Sequence, residues 1–400
     1  MQIPSKASPV GQLFQIGSII RQSVAGAVGL IGALSIEAKS EESAVAAEFG
    51  YTLDLVSNLE GGVETGTVDL HYLDAAIEAD LEQLFSLEGL TAFGYAHYTN
   101  GKSISGLVGD AQGINNIESG VEALRLQEFW LRKEFGTSDV SALLGLYDIN
   151  SEFDGLSSTD FFIHGAHGIG TDIAQSGENG PSIFPVTSLT LKAEAELENG
   201  FRLRAAIADG VPGDPEHPRR TTIDLSADDG AFLIGELEHQ TSQRRVIGGV
   251  WGYTSRFDRL DGGQGRGNTG AYLGGEFALG DSQLDDPDAP VWFTRIGVAE
   301  AEFNPFEWYV SSGIVWSSLQ INTRFGIAVA HAITSDSYRG EWPGAEQSET
   351  NIEASAAVPV LENLSVQPYA QLVLNPGADP TLENAIIAGL RLSTSVSFHP

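Results

Sequence analysis

Apolar and polar residues alternate with a period of two along most of this chain, and the segment 386–398 shows the pattern most clearly. Since neighbouring side chains of a strand point to opposite faces of a sheet, one face lies in an apolar medium and the other in a polar one. We expect Arg391 to point inward and the apolar residues to point outward, among them Leu390, Leu392, Val396 and Phe398. Taken alone, the segment fits a half-buried strand of a soluble sandwich as well as a strand of a membrane barrel.

Sixteen segments of this kind follow one another along the sequence. In one of them Phe201, Leu203 and Ile207 share a face opposite Arg202 and Arg204. Most are about ten residues long, the length that a tilted membrane-spanning strand requires. The predicted strands are 49–58, 68–81, 90–98, 123–135, 140–149, 187–197, 201–209, 231–241, 244–254, 270–278, 291–300, 308–316, 323–331, 349–358, 364–374 and 386–398.

The connections between these strands alternate in length. The long ones are 59–67, 99–122, 150–186, 210–230, 255–269, 301–307, 332–348 and 375–385. The others, mostly short, are 82–89, 136–139, 198–200, 242–243, 279–290, 317–322 and 359–363. An even number of strands with long loops at one end and short turns at the other is typical of bacterial outer-membrane barrels. The pattern therefore predicts an all-β fold, a sixteen-stranded antiparallel transmembrane β-barrel whose final strand pairs with the first near Phe49.

Composition narrows the possible partners. The formal net charge is −33, with 21 Lys and Arg residues against 54 Asp and Glu residues. Nucleic-acid binding is excluded in practice, because it depends on neutralising phosphates with Lys and Arg. The absence of cysteine excludes disulfides, thiolate catalysis and cysteine-ligated metals. A water-filled interior of such a protein is expected to favour cations.

The beginning of the chain resembles a secretory signal. An uncharged apolar stretch, 24–36, lies between Arg21 and Glu37, and Ala44-Val45-Ala46 offers a cleavage site with small residues. The stretch is too short to span a bilayer as a helix. We therefore predict a signal peptide at 1–46, followed by a single barrel domain at 47–400.

The third long connection carries the most specific motifs. The chain enters it through Gly145-Leu146-Tyr147-Asp148-Ile149, and it ends on Asn179-Gly180-Pro181-Ser182-Ile183-Phe184-Pro185-Val186. Together with 108–113, 209–215, 230–236 and 375–377, these motifs resemble the carbohydrate-selective porin family, the OprB-like porins. The similarity runs from about Gly50 to Phe398. One departure is that His399 and Pro400 follow the phenylalanine that usually ends such chains.

The resemblance implies a passive outer-membrane channel for monosaccharides and related polyols. It implies no enzymatic activity and no cofactor, a homotrimer in outer-membrane lipid, and assembly by the barrel-assembly machinery. A porin's third loop is well placed to fold inward and narrow the channel, and we expect this of the connection 150–186. General diffusion porins and secreted β-rich carbohydrate-binding proteins or glycoside hydrolases remain the alternatives.

A sugar filter requires groups that donate and accept hydrogen bonds without holding the permeant tightly. We expect Arg125, Glu128, Asp148 and Arg204 near the constriction. Because Arg125 and Glu128 have opposite parity, both face inward only if a bulge or a strand end intervenes. The full set of predicted pore-lining residues is Arg125, Glu128, Asp148, Asn150, Glu152, Asp154, Asp172, Gln175, Arg202, Arg204 and Arg391.

The same carboxylates allow two other interpretations. Asp148, Glu152 and Asp154 are candidate glycosidase acids, which must flank a bond at fixed separation. They are also candidate oxygen ligands for Ca²⁺. Close spacing in a loop establishes neither, and we predict no metal site.

Overall fold

Sixteen antiparallel strands close into a single barrel in the computed structural model, which describes residues 43–136 and 139–398. Each strand pairs with its neighbours in sequence, and the first pairs with the last. The barrel strands are β1 (Val45–Gly62), β2 (Gly66–Asp80), β3 (Leu90–Asn100), β4 (Glu122–Glu134), β5 (Val140–Tyr147), β6 (Ser188–Glu196), β7 (Phe201–Asp209), β8 (Ala231–Gln240), β9 (Arg244–Tyr253), β10 (Thr269–Ala278), β11 (Val291–Ala299), β12 (Phe306–Ser318), β13 (Thr323–Thr334), β14 (Ser348–Leu361), β15 (Leu364–Leu374) and β16 (Glu383–Phe398).

All sixteen predicted strands are present, with ends that differ by a few residues. The closure is also confirmed, because Phe49 on β1 is paired with Val396 on β16. The rings of Phe49 and Phe398 meet edge to face with centroids 5.9 Å apart. Because the first strand pairs with the last, the barrel has no free edge strand, which a sheet surrounded by lipid requires.

The two faces of the strands separate as the alternation predicts. Leu390, Val396 and Phe398 are exposed on the outside, and Leu392 is partly exposed beside them. Arg391 is buried on the inner face. The same division holds around the barrel, where exposed leucine, isoleucine, phenylalanine and tryptophan side chains form an apolar outer surface and most ionisable strand residues point inward.

The alternation of loop lengths holds with three exceptions. The connection 279–290 is long where a short turn is expected, and the next one, 300–305, is short where a long loop is expected. The first connection, predicted at 59–67, is only 63–65, so the expected long loop is absent. β1 continues to Gly62 because residues up to that point still pair with β16, although their pairing with β2 ends at Asn58. The short turn 198–200 is confirmed, and Asn199 and Gly200 adopt the positive φ angles, 62° and 78°, that this hairpin needs.

Short helices and one small hairpin lie in the connections. The α-helices are α1 (Leu81–Phe85), α2 (Ser105–Val108), α3 (Thr171–Ala174) and α4 (Asp336–Glu341), and a two-stranded hairpin joins Phe257–Asp258 to Gln264–Gly265. Single 3₁₀ turns occupy Ile149–Ser151, Thr159–Phe161, Gly165–His167, Glu198–Gly200 and Pro376–Ala378. No helix among the described residues is long and apolar enough to cross a membrane.

The predicted signal peptide lies outside the described residues except at its end. β1 begins at Val45, so the last two residues of the predicted segment 1–46 belong to the first strand. Ala46 is paired there with Glu78 of β2. The signal peptide and its cleavage site stay predictions.

Candidate functional site

A bulge in β4 places Arg125 and Glu128 on the same face. Tyr95 of β3 is paired with Glu128 and the next residue, Ala96, with Leu126, so Gln127 is the extra residue. Arg125, Gln127 and Glu128 are all buried on the inner side, whereas Leu126 and Phe129 are exposed outside. A bulge shifts the alternation by one residue, so Arg125 and Glu128 both face inward although they are three positions apart in the sequence.

The connection between β5 and β6, residues 148–187, begins with three of the predicted site residues. Asp148 accepts hydrogen bonds from the Asn150 backbone N–H (2.9 Å), the Phe184 backbone N–H (2.9 Å) and the Gln127 side-chain amide (3.1 Å). Asn150 donates to the carbonyl groups of Phe153 and Gly168. Asp148 therefore joins both ends of the connection to β4, and Asn150 fixes its internal shape.

Glu152 and Glu128 complete the contacts of this first part. Glu152 accepts hydrogen bonds from Lys192 on β6 and from the hydroxyl of Tyr147. Glu128 accepts from the Ser151 hydroxyl at 3.0 Å and from the Trp130 indole at 2.9 Å. Both carboxylates thus link the connection to the inner face of the neighbouring strands.

Asp154 and Asp172 meet at Arg295, which lies on β11. Arg295 donates to the two carboxylate oxygens of Asp154 at 2.9 and 2.7 Å, and it also forms an ion pair with Asp172. Its guanidinium lies over the rings of Tyr272 and Tyr309, 5.4 and 5.1 Å from their centroids. All three charged groups are nearly inaccessible to solvent. Because a buried charge requires a partner and hydrogen bonds, this cluster holds the connection at one defined position.

Carboxylates of three further strands accept backbone N–H groups of the same connection. Glu236 on β8 accepts from Asp154 (2.9 Å), and Glu276 on β10 accepts from the N–H of Ser158 (2.9 Å). Glu353 on β14 accepts from Ile163 and His164 (2.9 and 2.8 Å). The segment 148–187 is therefore bonded to inward-facing side chains on strands far around the barrel from β5 and β6.

A second group of charges forms a ladder across the inner faces of β4 to β10. Arg204 lies at its centre and donates to Glu194 (2.9 Å), Glu236 (2.9 Å) and Glu238 (3.0 Å). Arg202 forms an ion pair with Glu196 at 2.7 Å. The members of this charge ladder are Arg132, Lys192, Arg202, Arg204, Arg245, Glu152, Glu194, Glu196, Glu236, Glu238 and Glu276.

Arg391 belongs to a third cluster, away from the ladder. It donates to Asp54 on β1 and to the Asn115 side chain, both at 2.9 Å. Asn115 lies in the connection 101–121 between β3 and β4, so this connection is also anchored to the inner face. Gln175 joins the two anchored connections, because its side-chain amide donates to the carbonyl of Ala111.

The structure thus distributes the predicted residues among several groups. Glu128 and Asp148 lie at the start of the connection 148–187, and Arg125 donates to the carbonyl of Pro218 in the connection 210–230. Asp154 and Asp172 form the Arg295 cluster, Glu152, Arg202 and Arg204 belong to the charge ladder, and Arg391 pairs with Asp54. Asn150 and Gln175 are bonded to backbone carbonyl groups of the connections.

Three residues of the site, Arg295, Lys192 and Glu353, were not predicted from the sequence. Arg295 is the single charged residue of β11, Lys192 is the single cation of β6, and Glu353 stands in an alternating strand. The alternation of their strands indicates that these side chains point inward, but it does not identify partners that are distant in the sequence. Arg295 and Asp154 are 141 positions apart in the sequence.

Burial changes the acid–base behaviour of groups in the connection 148–187. Loss of solvation raises the pKa of Asp148 to about 6, although hydrogen bonds from Gln127 and the backbone oppose the change. Loss of solvation likewise lowers the pKa of His167 to about 3. Asp154 and Glu152 are committed to Arg295 and Lys192, so neither carboxylate is free to act as a glycosidase acid or to bind Ca²⁺. No group of three His, Asp or Glu side chains in the described parts of the chain is arranged to hold a metal ion.

Comparison with known proteins gives a family and a fold. The family model described as carbohydrate-selective porin, OprB family, matches residues 65–396. The high-pH structure of OprB from Pseudomonas putida superimposes with a TM-score of 0.76 at 14% identity, covering 88% of this chain and 94% of that one. The outer-membrane channel DcaP of Acinetobacter baumannii gives 0.55 at 10% identity, with 88% and 97% covered.

A porin of Rhodopseudomonas blastica, solved as a triple mutant, gives a TM-score of 0.54 at 11% identity and covers 88% of this chain and 100% of that one. The similarity of this chain to that porin, and to the other solved structures, concerns the barrel fold. No curated protein matches the sequence.

Proposed function

Because the chain belongs to the carbohydrate-selective porin family, OprB, and its barrel is that of an outer-membrane porin, we propose that it conducts monosaccharides and related polyols by passive diffusion. Transport of this kind requires no covalent step and no cofactor. The family and the fold indicate a channel rather than an enzyme.

The charge ladder is the observation that carries this proposal. It has five cationic side chains against six carboxylates, although the whole chain has a net charge of −33. Its charges therefore nearly cancel. Lys192, Arg204, Glu236 and Glu238 are almost wholly buried in pairs, and the partly exposed members, Arg132, Arg202 and Arg245, offer donors to the interior without a strong net field. Neutral polyhydroxyl solutes exchange hydrogen bonds with such a surface, and their binding stays weak enough for release.

The connection 148–187 supplies the narrowing of the channel in this proposal. Its bonds to Glu236, Glu276, Arg295 and Glu353 support a position across the interior, because these side chains lie on the inner face of β8, β10, β11 and β14. Arg125, Glu128 and Asp148 line the passage beside it, and Arg202 and Arg204 continue the lining along the ladder.

Assembly belongs to the same proposal. The apolar outer surface contacts outer-membrane lipid, and the barrel functions as a homotrimer after insertion by the barrel-assembly machinery. The apolar alternation of β16 and Phe398 near its end support recognition of the last strand by that machinery.

Liposome swelling distinguishes this channel from a general diffusion porin. Purified protein in liposomes is presented with a series of sugars and with non-sugar solutes of matched size. Faster entry of the sugars at equal size is the expected result, because only they exchange several hydrogen bonds with the ladder. Equal rates at equal size would leave a general diffusion porin, in which the connection 148–187 restricts size alone.

Single-channel recording tests the proposed lining. Replacing Arg125 or Glu128 by alanine should change the block of the current that sugars produce. The matched control is Lys102→Ala, since Lys102 is an exposed loop cation that pairs with Asp69. Unchanged conductance and unchanged sugar block in both variants would exclude these two residues from the constriction.

A further inference from the structure

The barrel wall is incomplete beside one half of β4. The pairing of β4 with β5 begins at Phe129, opposite Leu146, and continues to Glu134. Residues 122–128 are paired with β3 on one side, but in the described part of the chain they have no strand partner on β5. β5 ends at Tyr147, where the chain leaves the wall as the connection 148–187. Seven residues of strand edge, roughly 20 Å long, are thereby left without a neighbouring strand.

The connection 210–230 between β7 and β8 lies against this edge. The hydroxyl of Thr221 accepts a hydrogen bond from the Leu126 backbone N–H at 2.9 Å and lies 3.3 Å from the Leu126 carbonyl oxygen, to which it donates. A single side chain thus bonds to both backbone groups of Leu126, which a strand neighbour would otherwise use. Three residues earlier, the carbonyl of Pro218 accepts a hydrogen bond from Arg125.

The near end of the same connection is fixed to the end of the connection 148–187. The side-chain amide of Asn179 donates to the carbonyl of Pro212 at 2.7 Å. Gly213 lies so close to Val186 that a Cβ atom there would approach the valine methyl group to 2.5 Å. Thr187, which follows, donates to the carbonyl of Gln127 and extends the contact with β4. The chain that leaves β7 is therefore guided across β6 and β5 toward β4.

We propose that the segment Pro218–Thr221 replaces the missing strand beside β4 and closes the barrel wall at this position. An unsatisfied strand edge attracts pairing with other chains, and natural sheets cover such edges. The segment satisfies the edge at Leu126 through Thr221 and, through Pro218, holds Arg125 on the inner face. This role does not depend on the permeant, so the experiments that test it do not test the proposed selectivity for sugars.

Hydrogen–deuterium exchange of the purified full-length protein tests the closure. Thr221→Val keeps the shape of the side chain but removes the hydroxyl, and we expect several-fold faster exchange at Leu126 and its neighbours in 122–128. Thr221→Ser should restore slow exchange. Thr222→Val is the matched control, because Thr222 is the adjacent, partly exposed threonine and should leave β4 unchanged. Residues 129–134, which are paired with β5, should exchange slowly in every variant.

A second variant shortens the connection by removing residues 215–222. We expect fast exchange along the whole of 122–128 and more light scattering during refolding, because the uncovered edge pairs with other chains. Heat-modifiable migration on a gel identifies the folded fraction. The proposal would be overturned if residues 122–128 exchange as slowly in Thr221→Val and in the shortened chain as they do in the original protein. If the shortened chain does not fold, the result for Thr221→Val alone decides.

Discussion

Arg295 on β11 and Asp154 in the connection 148–187 form a two-hydrogen-bond ion pair, 2.9 and 2.7 Å long, from which solvent is nearly excluded. The same guanidinium also binds Asp172. One side chain of the wall therefore fixes two points of the longest connection.

Replacing Arg295 by methionine should destabilise the protein strongly. Removing one partner of a buried pair leaves an uncompensated charge, at a typical cost of about 3–5 kcal/mol. Two carboxylates, Asp154 and Asp172, lose their cation in this variant. The measurement is the free energy of unfolding in urea, with the barrel reconstituted in lipid vesicles.

The control for this prediction is Asp336→Asn in α4. Asp336 pairs with Arg339, but the aspartate side chain is 93% exposed. Asp336→Asn should therefore lower the free energy of unfolding by less than about 1 kcal/mol. Equal effects of Arg295→Met and Asp336→Asn would contradict the role assigned to the buried pair. Open-channel current noise should rise in Arg295→Met alone, because the connection is held at fewer points.

Acid should destabilise the protein through His167. Its ring packs against Phe162 and Phe293, with centroids 4.9 and 6.0 Å apart, and burial lowers its pKa to about 3 from 6.5. Between these two pH values the unfolded chain binds a proton that the folded protein does not. The stability that neutral His167 contributes is therefore present above pH 6.5 and is lost as the pH falls toward 3, by up to about 5 kcal/mol.

Unfolding free energies measured between pH 7 and pH 4 check this prediction. His167→Phe should lose less stability over that interval than the original protein, because phenylalanine has no group to protonate. His217→Gln is the control, since His217 lies in an exposed part of the connection 210–230. A pH dependence that His167→Phe leaves unchanged would assign the acid sensitivity to other groups.

Deleting Gln127 should leave more protein folded than deleting Leu131. Gln127 is the extra residue of the β4 bulge, so its removal joins Leu126 to Glu128, whose partners Ala96 and Tyr95 are also adjacent, and Arg125 and Glu128 both stay on the inner face. Leu131 lies in the regular part of β4, and its removal shifts the alternation, so that an inward charged residue such as Arg132 turns toward the lipid. An arginine on the lipid face costs about 2–4 kcal/mol near the membrane centre and less toward the interface. The folded fraction on a heat-modifiability gel is the readout, and equal fractions for the two deletions would show that the bulge does not set the orientation.

Arg204→Ala should shift the channel toward cations. Arg204 is the shared partner of Glu194, Glu236 and Glu238, so its removal leaves an excess of carboxylates in the ladder. The net charge of −33 already favours cations in the original protein. Reversal potentials under a salt gradient measure the change, which should be larger at low salt because screening is weaker.

Arg204→Lys is the control for this variant, because it keeps the positive charge. Its reversal potential should stay close to that of the original protein. A shift of equal size in Arg204→Lys and Arg204→Ala would attribute the effect to altered geometry rather than to charge. Anion preference in the original channel at low salt would contradict the expectation drawn from the whole-chain charge.

The sequence by itself determined the barrel. The alternation of apolar and polar residues with a period of two is visible within a single segment such as 201–209. The even number of strands and the lengths of the connections are read from the positions of these segments in the sequence. The faces of Arg391 and Phe398 followed from the same parity. The length of the first connection was not predicted, because the pairing of Gly62 with β16 is a contact between the two ends of the chain.

Only the tertiary structure decided which charges meet. Parity placed Arg204 and Arg391 on the inner face, but it did not select Glu236 or Asp54 as their partners, because an inward side chain in a barrel can reach strands and connections distant in sequence. The Gln127 bulge depended on pairing with β3, and Arg295 depended on the path of a connection that has no repeating pattern. Local periodicity fixes the direction of a side chain, whereas its partner depends on how the closed sheet and its connections pack.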